Sequence, residues 1–299
     1  MIIVNLKGGL GNQMFQYALG LSLSLKNKEV LKLDVDGLER ANRVGDIYRP
    51  FDLAGFSISA TIATAKEIRE LKYPYGTFSK AQRWLNFKLS KDKNVLFRPQ
   101  VLEWIGDIYL DGFWQSPKYF ENIRQELLAE FLLKQPLSSA ALQHAIRIKE
   151  TNSVALHVRR GDYVKNARVQ IEFGSCTNHY YDIAMKHINR KVHSPTFFIF
   201  SDDIDWVKNN LSNHTNVVYV KNPAISTAEE LALMSICKHN IIANSTFSWW
   251  SAWLNQNPDK IVVTPTPWFN KIDYDQSLIP ESWIKISKQL DTQSGVRIL

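Results

Sequence analysis

Short runs rich in β-branched and aromatic residues mark the second half of the chain: Val154–Val158, Thr196–Ser201, Val217–Val220, Asn240–Ala243 and Lys260–Thr264. Between several of them the apolar positions switch to helical spacing, at His179–Arg190, Ile204–Leu211, Thr227–Lys238 and Phe247–Asn255. Strand, helix and strand at this spacing predict a parallel sheet with helices on its faces, a Rossmann-like domain over residues 150–286.

The first half opens the same way, with a strand at Ile2–Leu6, a helix at Asn12–Lys26 and a strand at Val30–Val35. Beyond that the periodicity weakens. Ala65–Leu71 and the basic Ser79–Leu89 read as helices, Ile108–Gly112 as a strand and Pro117–Leu133 as one long helix. This gives a second α/β domain over residues 1–140, with the boundary near Pro136–Ser153 and a polar tail over 287–299, frayed across Asp291–Leu299.

Composition supports a globular chain of 299 residues, 45% apolar and 22% charged, without low-complexity tracts. Most of its aromatics are expected in the core. Cys176 and Cys237 are too few for a disulfide framework. Cys237 falls in a helical apolar pattern and Cys176 in a polar loop as a free thiol, which suits a reducing cytoplasm. No apolar run reaches membrane-spanning length, and MIIVNLKGG reads as strand and turn rather than a signal peptide. A net charge of +7 fits a solvated surface and equally an attraction to nucleic acid, anionic membrane or a nucleotide diphosphate.

The chemistry gathers at strand ends. In a parallel sheet these share one edge, where ligands bind. Val154–Val158, which contains His157, runs into Arg159-Arg160-Gly161-Asp162-Tyr163. Thr196–Phe200 runs into Ser201-Asp202-Asp203, and Asn240–Ala243 into Asn244-Ser245-Thr246 and then Phe247 of a helix. Singly these are surface arginines, a Gly-Asp turn and helix caps. Together they complement one ligand: arginine forks for phosphate, a helix start for an anion, and Asp202 or Asp203 for the N1–H and amine of guanine. That is a nucleoside diphosphate site.

The turn Gly8-Gly9-Leu10-Gly11-Asn12-Gln13 also follows a strand and opens a helix, but the dinucleotide fingerprint fails because its third glycine position is Met14. The turn still allows close backbone approach to a ligand, and Asn12 and Gln13 add amide donors.

With GGLGNQMFQYA at 8–18, HVRRGDY at 157–163 and NSTFSWWSAWL at 244–254, the sequence resembles the bacterial α-1,2-fucosyltransferases of glycosyltransferase family 11. FSDD at 200–203 and GFWQSPKYF at 112–120 extend the likeness over nearly the whole chain. The resemblance implies two Rossmann-like domains facing across a cleft (the GT-B arrangement) and inverting transfer of L-fucose from GDP-fucose to a sugar hydroxyl. That hydroxyl would be the 2-OH of a galactoside in a surface glycan or O-antigen, held by residues 1–140.

By the same likeness Arg159 meets the diphosphate, and Arg160, Ser201 and Asn244 line the donor site. His157 and Asp202 or Asp203 contact the nucleoside. Ser245, Thr246 and Phe247 contact phosphate or fucose, while Gly11, Asn12 and Gln13 line the cleft from the other side, Asn12 within the catalytic set. Cationic donors fixed on the departing GDP supply about 2.7–4 kcal/mol each in comparable sites. Asp162 is the candidate general base or, alternatively, orients an arginine.

No metal is expected, since no His/Asp/Glu cluster has ligand spacing and Asp34-Val35-Asp36 reads as a strand end. The basic stretch Lys80–Lys93 predicts a solvated face, or a peripheral contact with anionic membrane on the cytoplasmic side. Nucleic acid is not an expected partner. A noncatalytic GDP-sugar or glycan-binding protein is the alternative reading, and a lectin alone has no need of a diphosphate cradle.

Overall fold

The computed structural model describes residues 1–39, 49–72, 97–211 and 215–289. The expected Ser79–Leu89 helix, the Lys80–Lys93 stretch and the Asp291–Leu299 tail lie outside them. The chain divides into two compact units, Met1–Gln135 with Asp273–Leu278, and Pro136–Ile272 with Ile279–Leu299.

In the first unit Ile2–Asn5 (β1), Leu31–Asp34 (β2), Thr61–Ile62 (β3) and Ile108–Leu110 (β4) form a parallel sheet in the order β3-β2-β1-β4. Ile2 faces Leu31 on one side and Ile108 on the other. The Leu10–Asn27 helix buries Met14, Phe15, Ala18 and Leu19. Gly20 lets it settle on the sheet, since a Cβ there would collide with Val4 and Leu31.

In the second unit Asn152–Val158 (β5), Pro195–Ser201 (β6), Val217–Tyr219 (β7), His239–Ile241 (β8), Val262–Thr266 (β9) and Ile284–Ser287 (β10) make a parallel sheet. Its order is β10-β9-β8-β5-β6-β7. Val154, Leu156 and Val158 of β5 pack with Tyr180, Met185 and Ile199. Ala155 packs on the opposite face with Phe198, Phe200 and Leu233. Both faces are covered, as parallel sheets require. The expected α/β class with two Rossmann-like sheets is what the chain adopts.

Strand order reverses between β1 and β4 in one sheet and between β5 and β8 in the other. Such switch points leave a crevice outside the carboxyl ends of the strands.

Several expectations are corrected. Pro117–Leu133 is not one helix. Pro117–Tyr119 and Glu121–Ile123 are 3-10 turns, and the α-helix runs only over Arg124–Glu130. Phe120, at φ −149° and ψ 9°, breaks the path so that both Tyr119 and Phe120 reach the core. The expected boundary holds a helix, Ser139–Glu150, capped by Ser138. The Thr227–Lys238 helix stops at Ser235. Cys176 is buried rather than in an open loop, and burial pushes its thiol up to about 11. Residue 287 does not begin a tail: Ser287 closes β10, and Lys288 is fully buried.

Candidate functional site

At the β5/β8 switch point the register sets the chemistry. Val158 of β5 pairs with Ser201 of β6, so the next residues on each strand, Arg159 and Asp202, emerge side by side. Arg159 Nη1 lies 3.0 Å from Asp202 Oδ2. The other carboxylate oxygen accepts from the Arg160 backbone N–H at 2.9 Å. Arg160 Nε donates to Asp203 Oδ2 at 3.2 Å, and its guanidinium sits 4.1 Å over the Trp206 ring. Asp203 also caps the Ile204–Asn210 helix through the Trp206 N–H, and its own N–H donates to Ser201 Oγ. Each arginine therefore has a carboxylate behind it, which fixes the fork that presents the charge. Gly161 leaves room for the Asp202 carboxylate: a Cβ there would stand 2.6 Å from Asp202 Oδ2 and push it aside.

His157 points to the face opposite Leu156 and Val158. Its ring lies 5.6 Å from that of Phe247. Burial, with Arg159 adding and Asp202 opposing, holds its pKa down at about 4, so the ring is neutral at physiological pH. Its Nδ1 is buried without a hydrogen-bond partner among the described residues.

The Thr246–Leu254 helix begins at Ser245 without a side-chain cap. An uncapped start at a sheet edge suits an anion. Asn244, expected among the donor-binding residues, is instead buried. Its Nδ2 donates to the carbonyls of Phe173, Gly174 and Trp268 at 3.0, 2.8 and 3.1 Å. It holds the turn that presents Ser245, and Tyr163 braces the same turn by donating to the Asn244 carbonyl at 3.0 Å. Lys288 Nζ donates to the Phe173 carbonyl at 2.6 Å. Burial brings the pKa of that ammonium down to about 8, with Cys176 opposing.

Glu230 escaped the sequence reading. Burial pushes its carboxyl up to about 6, with Lys221 opposing and Asp202 adding, which sets it in the field of the same cluster. The second glutamate of Thr-Ala-Glu-Glu in a first helical turn was the only signal, and Glu229 beside it forms a capping box with Ser226. Trp206, three residues after Asp203, was likewise missed. Asp162 follows Gly161 in the short Gly161–Lys165 helix, and its side chain lies outside the described ones.

Gly11, Asn12 and Gln13 belong to the first unit. Gly11 is buried in the helix. Gln13 is fully buried and pins the glycine turn, donating to the Gly8 and Pro50 carbonyls and accepting from the Leu53 N–H. It is a latch rather than a cleft-lining donor. Asn12 Oδ1 accepts from Gln115 Nε2 at 2.9 Å. Asp34 does not offer an open metal ligand: it accepts from Tyr109 Oη at 2.5 Å and from the Asp36 N–H. Among the described residues no group of three or more His, Cys, Asp or Glu is placed to hold a metal, and no helix is long and apolar enough to cross a membrane.

The profile of Glycosyl transferase family 11 matches residues 91–287. The chain belongs to glycosyl transferase family 11. It is 33% identical to the alpha-1,2-colitosyltransferase of Escherichia coli, over 96% of this chain and 99% of that one. The O-antigen biosynthesis glycosyltransferase WbnK of Escherichia coli is also 33% identical, over 94% and 99%. The galactoside 2-alpha-L-fucosyltransferase SEC1 of Bos taurus is 26% identical, over 96% and 74%. Among solved structures, the alpha-1,6-fucosyltransferase NodZ soaked with GDP-fucose matches with a TM-score of 0.52 at 13% identity, covering 85% of this chain and 91% of NodZ. That likeness speaks for the fold. In this family 11 chain the HVRRGDY motif supplies the paired arginines, and FSDD supplies the carboxylates that hold them.

Proposed function

We propose that this glycosyltransferase moves L-fucose from GDP-fucose to the 2-hydroxyl of a galactoside, with inversion, in the assembly of a surface glycan. The observation that carries the reading is the arginine pair at the end of β5, each guanidinium backed by its own carboxylate. Two fixed forks at a switch point suit a diphosphate, and they stabilise the negative charge that builds on GDP as the sugar–phosphate bond breaks. The names of the relatives supply the sugar and the linkage.

Arg159 takes the diphosphate in this reading, and the uncapped helix start at Ser245–Phe247 takes a phosphate oxygen or the fucose. His157, neutral with an open Nδ1, contacts the nucleoside. Asp202 or Asp203, whose carboxylates keep lone pairs beyond their arginine bonds, accepts the guanine N1–H and amine. The charge at the site comes from arginine, and no metal is assigned. With early departure of phosphate, the acceptor hydroxyl needs little base assistance. The enzyme would work in the cytoplasm, where both thiols stay reduced, with the Lys80–Lys93 stretch as its contact with anionic membrane.

The likeness to the colitosyltransferase favours a second donor, GDP-colitose. Colitose is L-fucose without its 3-hydroxyl, and a site that hydrogen-bonds that hydroxyl can reject the deoxy sugar by as much as about 10⁴. The test is a kcat/KM comparison of GDP-fucose, GDP-colitose and GDP-mannose with a galactoside panel, the product linkage being read by NMR. GDP-fucose preferred at least tenfold and an α-1,2 product are expected. Preference for GDP-colitose replaces the donor, and no transfer from any of the three refutes the reading.

A further inference from the structure

Lys288 directly follows β10, and the fold takes its side chain out of water altogether. Among the described residues it makes no ion pair: its ammonium donates only to backbone, to the Phe173 carbonyl at 2.6 Å and the Trp268 carbonyl at 3.3 Å. A buried charge is costly unless a counter-charge stands near it. The fold nevertheless pins this residue at both ends of its backbone. Its N–H donates to the Thr266 carbonyl, and its carbonyl accepts from the Thr177 N–H and hydroxyl.

The two carbonyls that Lys288 holds are also taken by Asn244 Nδ2, at 3.0 and 3.1 Å. Ammonium and amide therefore sit side by side. The residue after Asn244 is Ser245, where the Thr246–Leu254 helix starts without a side-chain cap. Tyr163 ties that turn to the arginine site: its hydroxyl donates to the Asn244 carbonyl at 3.0 Å, and the Arg159 guanidinium lies 5.8 Å from its ring. Lys288 thus stands in the interior behind the helix start. A fixed positive charge there adds to the partial positive charge of the free N–H groups, and the protein interior screens it less than water would. An anion on the helix start is the counter-charge that the fold itself does not supply.

We propose that Lys288 is a positioning residue for the donor's diphosphate: beside Asn244 it sets the Ser245 turn, and its ammonium supplies positive potential behind that turn. The role rests on the donor reading above and extends it to a residue outside the strand-end motifs.

Burial brings this ammonium down to about 8, so mild alkali removes its charge. The titratable groups on the elements packed against it are Cys176, His179, Tyr180, Tyr181 and the ion pair of Arg168 with Glu172. Burial pushes the Cys176 thiol up to about 11 and both phenols well above their ordinary range. A variant without the ammonium serves as the control for the remaining groups.

Calorimetric titration of the full chain with GDP and with guanosine tests the role, since guanosine shares the base and ribose but lacks the phosphates. Lys288→Met keeps the reach of the side chain and removes its charge. It should weaken GDP at least fivefold and leave guanosine within twofold. In the unmodified protein the ratio of GDP to guanosine affinity should fall at least threefold from pH 7 to pH 9, as the ammonium loses its proton. In Lys288→Met that ratio should stay flat. A folded variant that binds GDP within twofold of the unmodified protein, or that loses GDP and guanosine equally, overturns the role. So does a ratio that holds steady with pH in the unmodified protein, a measurement that stands even if the variant does not fold. Failure of the unmodified protein to bind GDP refutes the donor reading itself, whereas GDP binding that survives intact in Lys288→Met refutes only the part played by Lys288.

Discussion

Gly161→Ala is a small change with a large expected consequence, because the new methyl meets the carboxylate that holds Arg159. The Cβ would stand 2.6 Å from Asp202 Oδ2 and 3.3 Å from its Cγ. Non-bonded heavy atoms settle at about 3.5–4.0 Å, so the carboxylate must retreat by roughly 1 Å. A retreat of that size stretches the 3.0 Å contact to Arg159 and the 2.9 Å bond from the Arg160 N–H beyond hydrogen-bond range. Bonds to charged groups contribute about 1.5–3 kcal/mol, and partial exposure of this pair lowers that to about 1–2 kcal/mol. GDP affinity should therefore fall roughly 5- to 30-fold. Stability should not fall in step, because Gly161 opens a helix and alanine favours that backbone by about 0.5–1 kcal/mol. Calorimetric titration with GDP beside a thermal melt reads both quantities. The Gly161→Ala/Asp202→Asn double variant should bind no worse than Asp202→Asn alone, since both changes disable one contact. GDP affinity within twofold of the unmodified protein would refute the chain of reasoning.

Arg159→Lys should lose at least roughly tenfold in kcat although charge is kept, because an ammonium cannot replace the planar fork; near-normal turnover would remove Arg159 from its role. His157 should make stability pH-dependent. Its pKa is about 4 folded against an ordinary 6.5, so the unfolded chain takes the proton first and stability is lost as pH falls from about 6.5 towards 4. The loss between pH 7 and pH 5 is about 2 kcal/mol, read as the extra pH slope in urea unfolding relative to His157→Asn; equal slopes contradict it. Activity should survive EDTA without loss, and activity that vanishes in chelator and returns with manganese would show that a metal supplies the charge here assigned to arginine.

The strand ends of the second unit were legible because burial on both faces leaves compact apolar runs, and the polar residue after each run marks the sheet edge. Val154–Val158 and Thr196–Ser201 are of this kind, and so the arginines and aspartates were found together. Helices bounded by tertiary demands were not legible. From Pro117 to Leu133 the apolar spacing is helical, yet Tyr119 and Phe120 must both reach the core and the chain turns to let them. The Ser139–Glu150 helix fell inside the expected domain boundary near Pro136–Ser153, and only Ala141, Ala145 and Ile148 of it are buried. Within the site, residue type did not separate ligand-facing groups from those that hold them. Asn244 and Gln13 have the right chemistry for binding, but each is buried and bonded within the fold. Glu230 has no motif around it, and only the raised pKa of its half-buried carboxyl, in the field of Asp202, sets it apart. Lys288 left no trace in the sequence, because a lysine after a strand reads as a solvated end.

The same topological rule yields different chemistry in the two units. In the second, the crevice beside β5 is lined by two guanidinium groups and an uncapped helix start, which favour an anion. In the first, the groups around the turn after β1 are paired within the fold: Gln115 donates to Asn12, Lys7 is bonded to Asp111 and Asp34 to Tyr109. A glycosyltransferase needs both kinds of surface, because its donor carries a diphosphate and its acceptor carries only hydroxyls. A cationic acceptor crevice would compete for the donor's phosphates. Uncharged or internally paired groups do not, since they cannot repay the desolvation of a phosphate. Of the two switch points, the one beside β5 therefore carries the chemistry that suits an anion.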